Sequence, residues 1–412
     1  MKRRIAALAA ALLLLAGCGV PEETAAAETP RILTPSPAPE TPAPAPTPVP
    51  VPEPTAEPTP ESTPEPESEE LILARQVMAR MDLRQLVGQL FIVEADDLTG
   101  QYGTTSAGAD VIHYLNEYPV GGVILMDQNL SDPGQAAALI SNLQAFSVPD
   151  LFISVDEEGG LVSRAADNLG TRAFAPMFEY REEGPETAYE NARAIGEDLS
   201  ALGFNLDFAP VADVWTNPEN TVIGRRAYSD DFDEAGVLVA AAVRGFHDGG
   251  VLCTLKHFPG HGDTTADTHT GTAVTERTLE EMRAGEFLPF AAGIEAGADL
   301  VMLAHVTAPA LDGEIASLSP EVVRILRGEL GFTGVIVTDA LRMGAVTEAY
   351  ASDEAAVRAL EAGADLLLLP EDPELAVRGV EAAVEEGRLS RERIEESVLR
   401  ILTLKASIGI LH

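Results

Sequence analysis

The densest concentration of chemically useful side chains in this 412-residue chain is Lys256-His257-Phe258-Pro259-Gly260-His261-Gly262-Asp263-Thr264-Thr265-Ala266-Asp267-Thr268-His269. It holds three of the seven histidines, with two aspartates and a lysine, directly after the apolar run Val251 to Leu255. Two kinds of chemistry compete for it. Histidine and aspartate ligate zinc or iron, and the same side chains on a loop serve acid–base catalysis. The His257-x3-His261 spacing gives facing ligands only on a helix, and Pro259, Gly260 and Gly262 disfavour one. Asp267 and His269, two apart in a non-helical loop, are spaced to hydrogen-bond. The carboxylate would fix the imidazole tautomer, leaving a ring able to give and take a proton. Spacing supports equally a loop histidine bonded to a backbone carbonyl. A further carboxylate, Asp339, closes the run Val335-Ile336-Val337-Thr338. It could attack an electrophilic carbon such as a sugar's anomeric centre, water later releasing the ester. It could also cap a helix starting at Ala340.

Such groups need a frame that brings distant segments to one place. From Leu71 onward the sequence alternates short apolar runs with amphipathic, helix-compatible stretches. The runs are Leu90–Val93, Gly122–Leu125, Leu151–Val155, Phe204–Phe208, Val251–Leu255, Leu300–Leu303, Val335–Val337 and Leu366–Leu369. Between them lie segments such as Pro185–Leu202, Glu234–Asp248 and Leu279–Ala296. Continuous apolar strands alternating with helices predict a parallel sheet covered on both faces. Eight units in ~340 residues fit a (β/α)8 TIM-type barrel, with a doubly wound open sheet as the alternative. Nearly every run ends in polar residues: Glu94, Asp127, Asp156-Glu157-Glu158, Asp213, Lys256-His257, His305, Asp339 and Glu371-Asp372. In a barrel these crowd the C-terminal face, where catalytic groups sit.

The N-terminal 70 residues are of another kind. Lys2, Arg3 and Arg4 precede the apolar run Ile5–Leu15, too short to span a bilayer comfortably. The run ends in Leu15-Ala16-Gly17-Cys18, which resembles a bacterial lipobox whose cysteine is lipidated after cleavage. Residues 1–18 are therefore expected to be a lipoprotein signal peptide, leaving Cys253 without a disulfide partner and best explained as a small buried hydrophobe. Residues 19–70 form a Pro/Glu/Thr-rich linker. From Pro21 to Glu70 it carries 16 of the 29 prolines and 11 Glu against one Arg, a composition that cannot bury a core and stays extended. The folded domain is expected over 71–412. Net charge is −39, of which −32 remains once the linker and basic leader are set aside. That excess argues against nucleic acid and against electrostatic docking on anionic lipid. The expected location is the cell envelope, the domain held to the outer face of the membrane by its lipid anchor.

The stretch Lys256 to His269 resembles the KHFPGHGDTxxDSH signature of glycoside hydrolase family 3 β-N-acetylhexosaminidases, the NagZ group. Gly121–Leu125, Val155–Gly160, Phe208–Val214, Val222–Arg226, Ala304–Pro309 and Thr338–Ala345 agree with it, so the resemblance runs in order from about Leu71 to Leu411. It implies a (β/α)8 barrel, no metal or cofactor, and removal of terminal β-linked N-acetylglucosamine with retention of configuration. By the same resemblance Asp339 is the nucleophile, His269 the acid/base and Asp267 its partner. Asp156, Arg164, Arg226, Lys256 and His257 hold the terminal sugar. A carbohydrate is thus the expected partner, and the domain is expected to act as a monomer. Two positions depart from the pattern: Leu161 stands where the family commonly has Arg, and Glu157 where it often has Gln or His. The alternatives are a β-glucosidase or β-xylosidase, which usually carry a glutamate acid/base and a large second domain, an N-acetylglucosaminide phosphorylase, and a non-catalytic wall-binding lipoprotein.

Overall fold

A computed structural model of the chain describes residues 67–412 apart from 265–270 and 272. Cys18, the leader and linker residues 19–66 lie outside the described residues. Helix α1 (Glu69–Met78) starts two residues ahead of the expected Leu71 boundary, because Ser68 serves as its N-cap and accepts from the Leu71 N–H at 3.2 Å.

A strand falls on each of the eight apolar runs: β1 (Phe91–Glu94), β2 (Gly122–Ile124), β3 (Phe152–Val155), β4 (Leu206–Asp207), β5 (Leu252–Phe258), β6 (Leu300–Leu303), β7 (Val335–Thr338) and β8 (Leu367–Leu368), with β1, β5 and β7 continuing into the polar residues that follow. All are buried along their length. They pair in parallel in the order β7-β6-β5-β4-β3-β2-β1-β8. A parallel bridge from Val337 to Leu366, with the Thr338 N–H donating to the Leu366 carbonyl at 3.0 Å, joins the two ends. The sheet is therefore a closed eight-stranded barrel. Closure satisfies the edge groups that an open sheet leaves unpaired.

The helices cover the outside: α2 (Ala109–Glu117), α3 (Pro133–Ala145), α4 (Pro185–Leu202), α5 (Phe232–Asp248), α6 (Phe287–Glu295), α7 (Pro320–Gly328), α8 (Ser352–Ala362), α9 (Pro373–Glu385) and α10 (Arg391–Ser407). Helix α4 shows how sequence sets their limits. Pro185 opens it, Gly203 closes it in the left-handed region at φ 98°, and Ala188, Ala192, Ile195 and Leu199 form its buried stripe. The helix-compatible stretch Leu279–Ala296 holds two helices, Leu279–Ala284 and α6. They break at Gly285, where a Cβ would lie 2.7 Å from the Phe232 ring. Asp339 does not cap a helix beginning at Ala340, since the next helical turn starts only at Gly344.

Candidate active site

The C-terminal ends of the strands enclose a cavity of about 300 Å³. Of the eight residues expected to act on substrate, six line it: Asp156, Arg164, Arg226, Lys256, His257 and Asp339. They come from the ends of β3, β5 and β7 and from the segments after β3 and β4. Asp267 and His269 lie outside the described residues.

The strongest polar interactions centre on Glu158, whose side chain is fully buried. Arg226 grips it bidentately, Nη2 to Oε1 at 2.7 Å and Nε to Oε2 at 2.8 Å, and Lys256 Nζ donates to Oε1 at 2.7 Å. Lys256 also reaches Asp156 Oδ1 at 3.0 Å. Burial alone would push the Glu158 carboxyl up, but the charges of Arg226 and Lys256 outweigh it and hold the group far below the usual range. Burial would likewise lower Lys256, and Glu158 and Asp156 keep it above its ordinary value. On the other side of Asp156, Arg164 Nη2 stands 3.6 Å from Oδ2 while its Nη1 pairs with Asp127. The result is an alternating row of charges, locked among themselves and presenting donors and acceptors to the cavity.

Glu158 lies in the first strand of a small hairpin, Glu157–Gly159 against Val162–Ser163, and Arg164 directly follows the second. Gly160 turns it at φ 78°, and a Cβ there would lie 2.5 Å from Pro176 Cα. Leu161, standing where the family commonly has Arg, is 54% exposed at this turn. Glu157 points the other way. It is buried, its Oε2 accepts from the Ala165 N–H at 2.5 Å, and burial raises its pKa to about 7.

Asp213 organises the histidine segment. Its buried carboxylate accepts from His257 N at 3.1 Å and from His261 N at 2.7 Å, and it pairs with His257 Nδ1 at 2.6 Å. Burial pushes Asp213 up, and the two histidines more than offset it, leaving the group below its ordinary value. Gly262 lets this segment lie against the preceding strand end: a Cβ there would sit 1.8 Å from the Val214 carbonyl oxygen. His257 and His261 therefore do not face each other as helical ligands. Asp213 holds the His257 ring and the His261 backbone, the His261 ring pairs through Nδ1 with Thr264 Oγ1 at 2.8 Å, and the two rings lie with centroids 6.0 Å apart.

Asp339 projects from the end of β7. Its backbone N–H donates to the Leu303 carbonyl at 2.9 Å, and its Oδ1 accepts from the Ala340 N–H at 2.7 Å. Burial would raise its pKa, but His305, His257, the Ala340 N–H and Lys256 lower it overall, so it is held as a carboxylate. His305 is fixed beneath it, Nε2 2.9 Å from the Ala340 carbonyl and Nδ1 2.7 Å from Ser317 Oγ. The sequence reading placed Glu158, Asp213 and His305 at strand ends without giving them roles. Their signal is present in the polar termini of the runs, but their partners lie 12 to 98 residues away.

A closed (β/α)8 barrel with a buried, ionised carboxylate in a charged cavity at its C-terminal mouth defines a barrel of the enzyme type. The chain belongs to glycosyl hydrolase family 3: the model of the family's N-terminal domain matches residues 82–404. It is similar to Beta-hexosaminidase A of Pseudoalteromonas piscicida, 33% identical over 74% of this chain and 56% of that protein. It is also similar to Beta-hexosaminidase of Xanthomonas oryzae pv. oryzae, 37% identical over 68% of this chain and 84% of that one. A glycoside hydrolase family 3 beta-N-acetylglucosaminidase from Paenibacillus sp. shares the fold at a TM-score of 0.75. It is 41% identical, covering 80% of this chain and 63% of its own. This chain thus spans a little over half of the first of these relatives and most of the second.

Proposed function

We propose that the protein is a retaining exo-β-N-acetylhexosaminidase that removes terminal β-linked N-acetylglucosamine. The observation that carries this reading is the position of Asp339. Its carboxylate is buried, held ionised, and shares one sugar-sized cavity with Asp156, Glu158, Lys256 and Arg226. Charged groups already locked in place can take up ring hydroxyls without reorganising, which is where positioning energy comes from. Val162, Val222 and Met343 supply apolar surface in the same cavity for an acetamide methyl. The names of the similar proteins from Xanthomonas and Paenibacillus agree with this substrate.

In this reading Asp339 attacks the anomeric carbon while His269, oriented by Asp267, protonates the departing glycosidic oxygen. The glycosyl ester on Asp339 is then opened by water that gives its proton to His269, and configuration is retained. The natural substrates are peptidoglycan fragments, met by a monomeric domain exported and anchored at the envelope through a lipid on Cys18.

A fluorinated N-acetylglucosaminide inactivator tests the chemistry. Mass spectrometry should find the label on the peptide containing Asp339, and Asp339→Asn should lower kcat by several orders of magnitude. A label elsewhere refutes the assignment. Digesting purified wall fragments in phosphate buffer tests the substrate and the acceptor together: free N-acetylglucosamine supports hydrolysis, and a sugar 1-phosphate identifies a phosphorylase.

A further inference from the structure

At the opposite end of the barrel from the cavity, three side chains with metal-ligating atoms converge. His247 lies in the last turn of α5, Cys253 is the second residue of β5, and Asp299 immediately precedes β6. His247 Nε2 is 2.8 Å from Asp299 Oδ2, and Cys253 Sγ is 3.7 Å from the same nitrogen. One ligand atom from each lies within 4.8 Å of the others, which makes this the sole such group of His, Cys, Asp and Glu side chains among the described residues.

The backbone holds the three groups there. Asp299 Oδ2 accepts from the Cys253 N–H at 3.0 Å, which ties the carboxylate to the foot of β5, and the Asp299 backbone carbonyl accepts from Val335 N at 3.1 Å, which ties its main chain to the foot of β7. Gly250, at φ 86°, turns the chain from the end of α5 into β5 and brings His247 back over Cys253. Cys253 is fully buried, whereas the His247 side chain is 34% exposed and that of Asp299 16%. A cation can therefore enter from the His247 side.

We propose that His247, Cys253 and Asp299 form a structural zinc site. One sulfur, one imidazole nitrogen and one carboxylate oxygen is a donor set that suits zinc and not the hard cations calcium or magnesium, which take oxygen. Tetrahedral zinc with Zn–S about 2.3 Å and Zn–N and Zn–O about 2.0–2.1 Å places S and N about 3.5 Å apart, and N and O about 3.3 Å apart. The observed 3.7 and 2.8 Å approach those values, and a small swing of the His247 ring opens the shorter gap. The thiol proton leaves to solvent as the ion binds, and water fills the fourth position. The ion pins the end of α5 to the feet of β5 and β6. It lies at the N-terminal ends of the strands, away from Asp339, and so takes no part in turnover.

The test uses the full chain, stripped with chelator and titrated with Co2+ and then Zn2+. The expected result is a thiolate-to-cobalt absorption band in the near ultraviolet, displaced by Zn2+, and a higher Tm with Zn2+ than without. Cys253→Ser and the more exposed His247→Gln should each lose the band and the Tm gain while keeping wild-type hydrolysis of a chromogenic substrate. Absence of the band in excess Co2+ means a metal-free hydrogen-bonded triad and overturns the proposal. So does a band that survives Cys253→Ser, which would place the sulfur at Cys18, or one that survives His247→Gln.

Discussion

Replacing Glu157 by Gln should make the protein more stable at alkaline pH, by an amount that the structure sets. Burial raises the carboxyl from its ordinary 4.5 to about 7. Between those two values the folded chain holds the proton more tightly than the unfolded chain does. Stability contributed by the neutral acid is therefore complete below pH 4.5, falls as pH rises, and is gone above pH 7. A shift of that size corresponds to about 3 kcal/mol at 1.36 kcal/mol per unit. Gln keeps the shape and the acceptor for the Ala165 N–H, but it cannot ionise. The assay is urea unfolding of wild type and Glu157→Gln at intervals from about pH 4 to about pH 8. The variant should gain about 3 kcal/mol on wild type across that range, the gain concentrated between the two pKa values. Asp97, raised by burial to about 6, has no interaction with Glu157 among its causes and cancels in the difference. Two parallel curves would show that ionising Glu157 costs nothing in the fold, and the reasoning would fail.

Glu158→Gln leaves Lys256 and Arg226 buried without their shared counter-charge, which should cost about 3–5 kcal/mol of stability. KM should rise at least tenfold, because Arg226 and Lys256 lose their fixed positions; unfolding and steady-state kinetics measure the two effects. Lys405 is fully buried, bonded to Gln89 Oε1 at 2.9 Å, and burial lowers its pKa from 10.5 to about 7. Its charge penalty is complete below pH 7 and relieved as pH rises toward 10.5. The Tm of wild type should therefore climb relative to that of Lys405→Met between neutral and alkaline pH, and a constant difference would refute the assignment.

Much of the architecture was legible in advance because it follows from local patterns. Val335–Val337 is a short apolar run bounded by polar residues, and strand β7 occupies it. Pro185 and Gly203 bracket α4 by their own backbone preferences. One detail rests on a distant residue: the helical stretch Leu279–Ala296 is interrupted at Gly285, where a Cβ would lie 2.7 Å from the Phe232 ring. Asp156, Lys256 and Arg226 were legible as candidate site residues from the motifs that carry them. Glu158, the carboxylate that holds Lys256 and Arg226 together, was not, since nothing adjacent in the chain marks it as their common partner.

Local patterning sets the alternation of strands and helices, the net acidity, and the residue types available for chemistry at the strand ends. Those properties depend on neighbours within a few positions. Closure of the barrel, the ionised state of Asp339, the tie from Asp213 to two histidines and the meeting of His247, Cys253 and Asp299 were decided only by the tertiary structure. Each depends on which charge or backbone lies within a few ångströms, and a parallel barrel brings together residues separated by tens of positions along the chain.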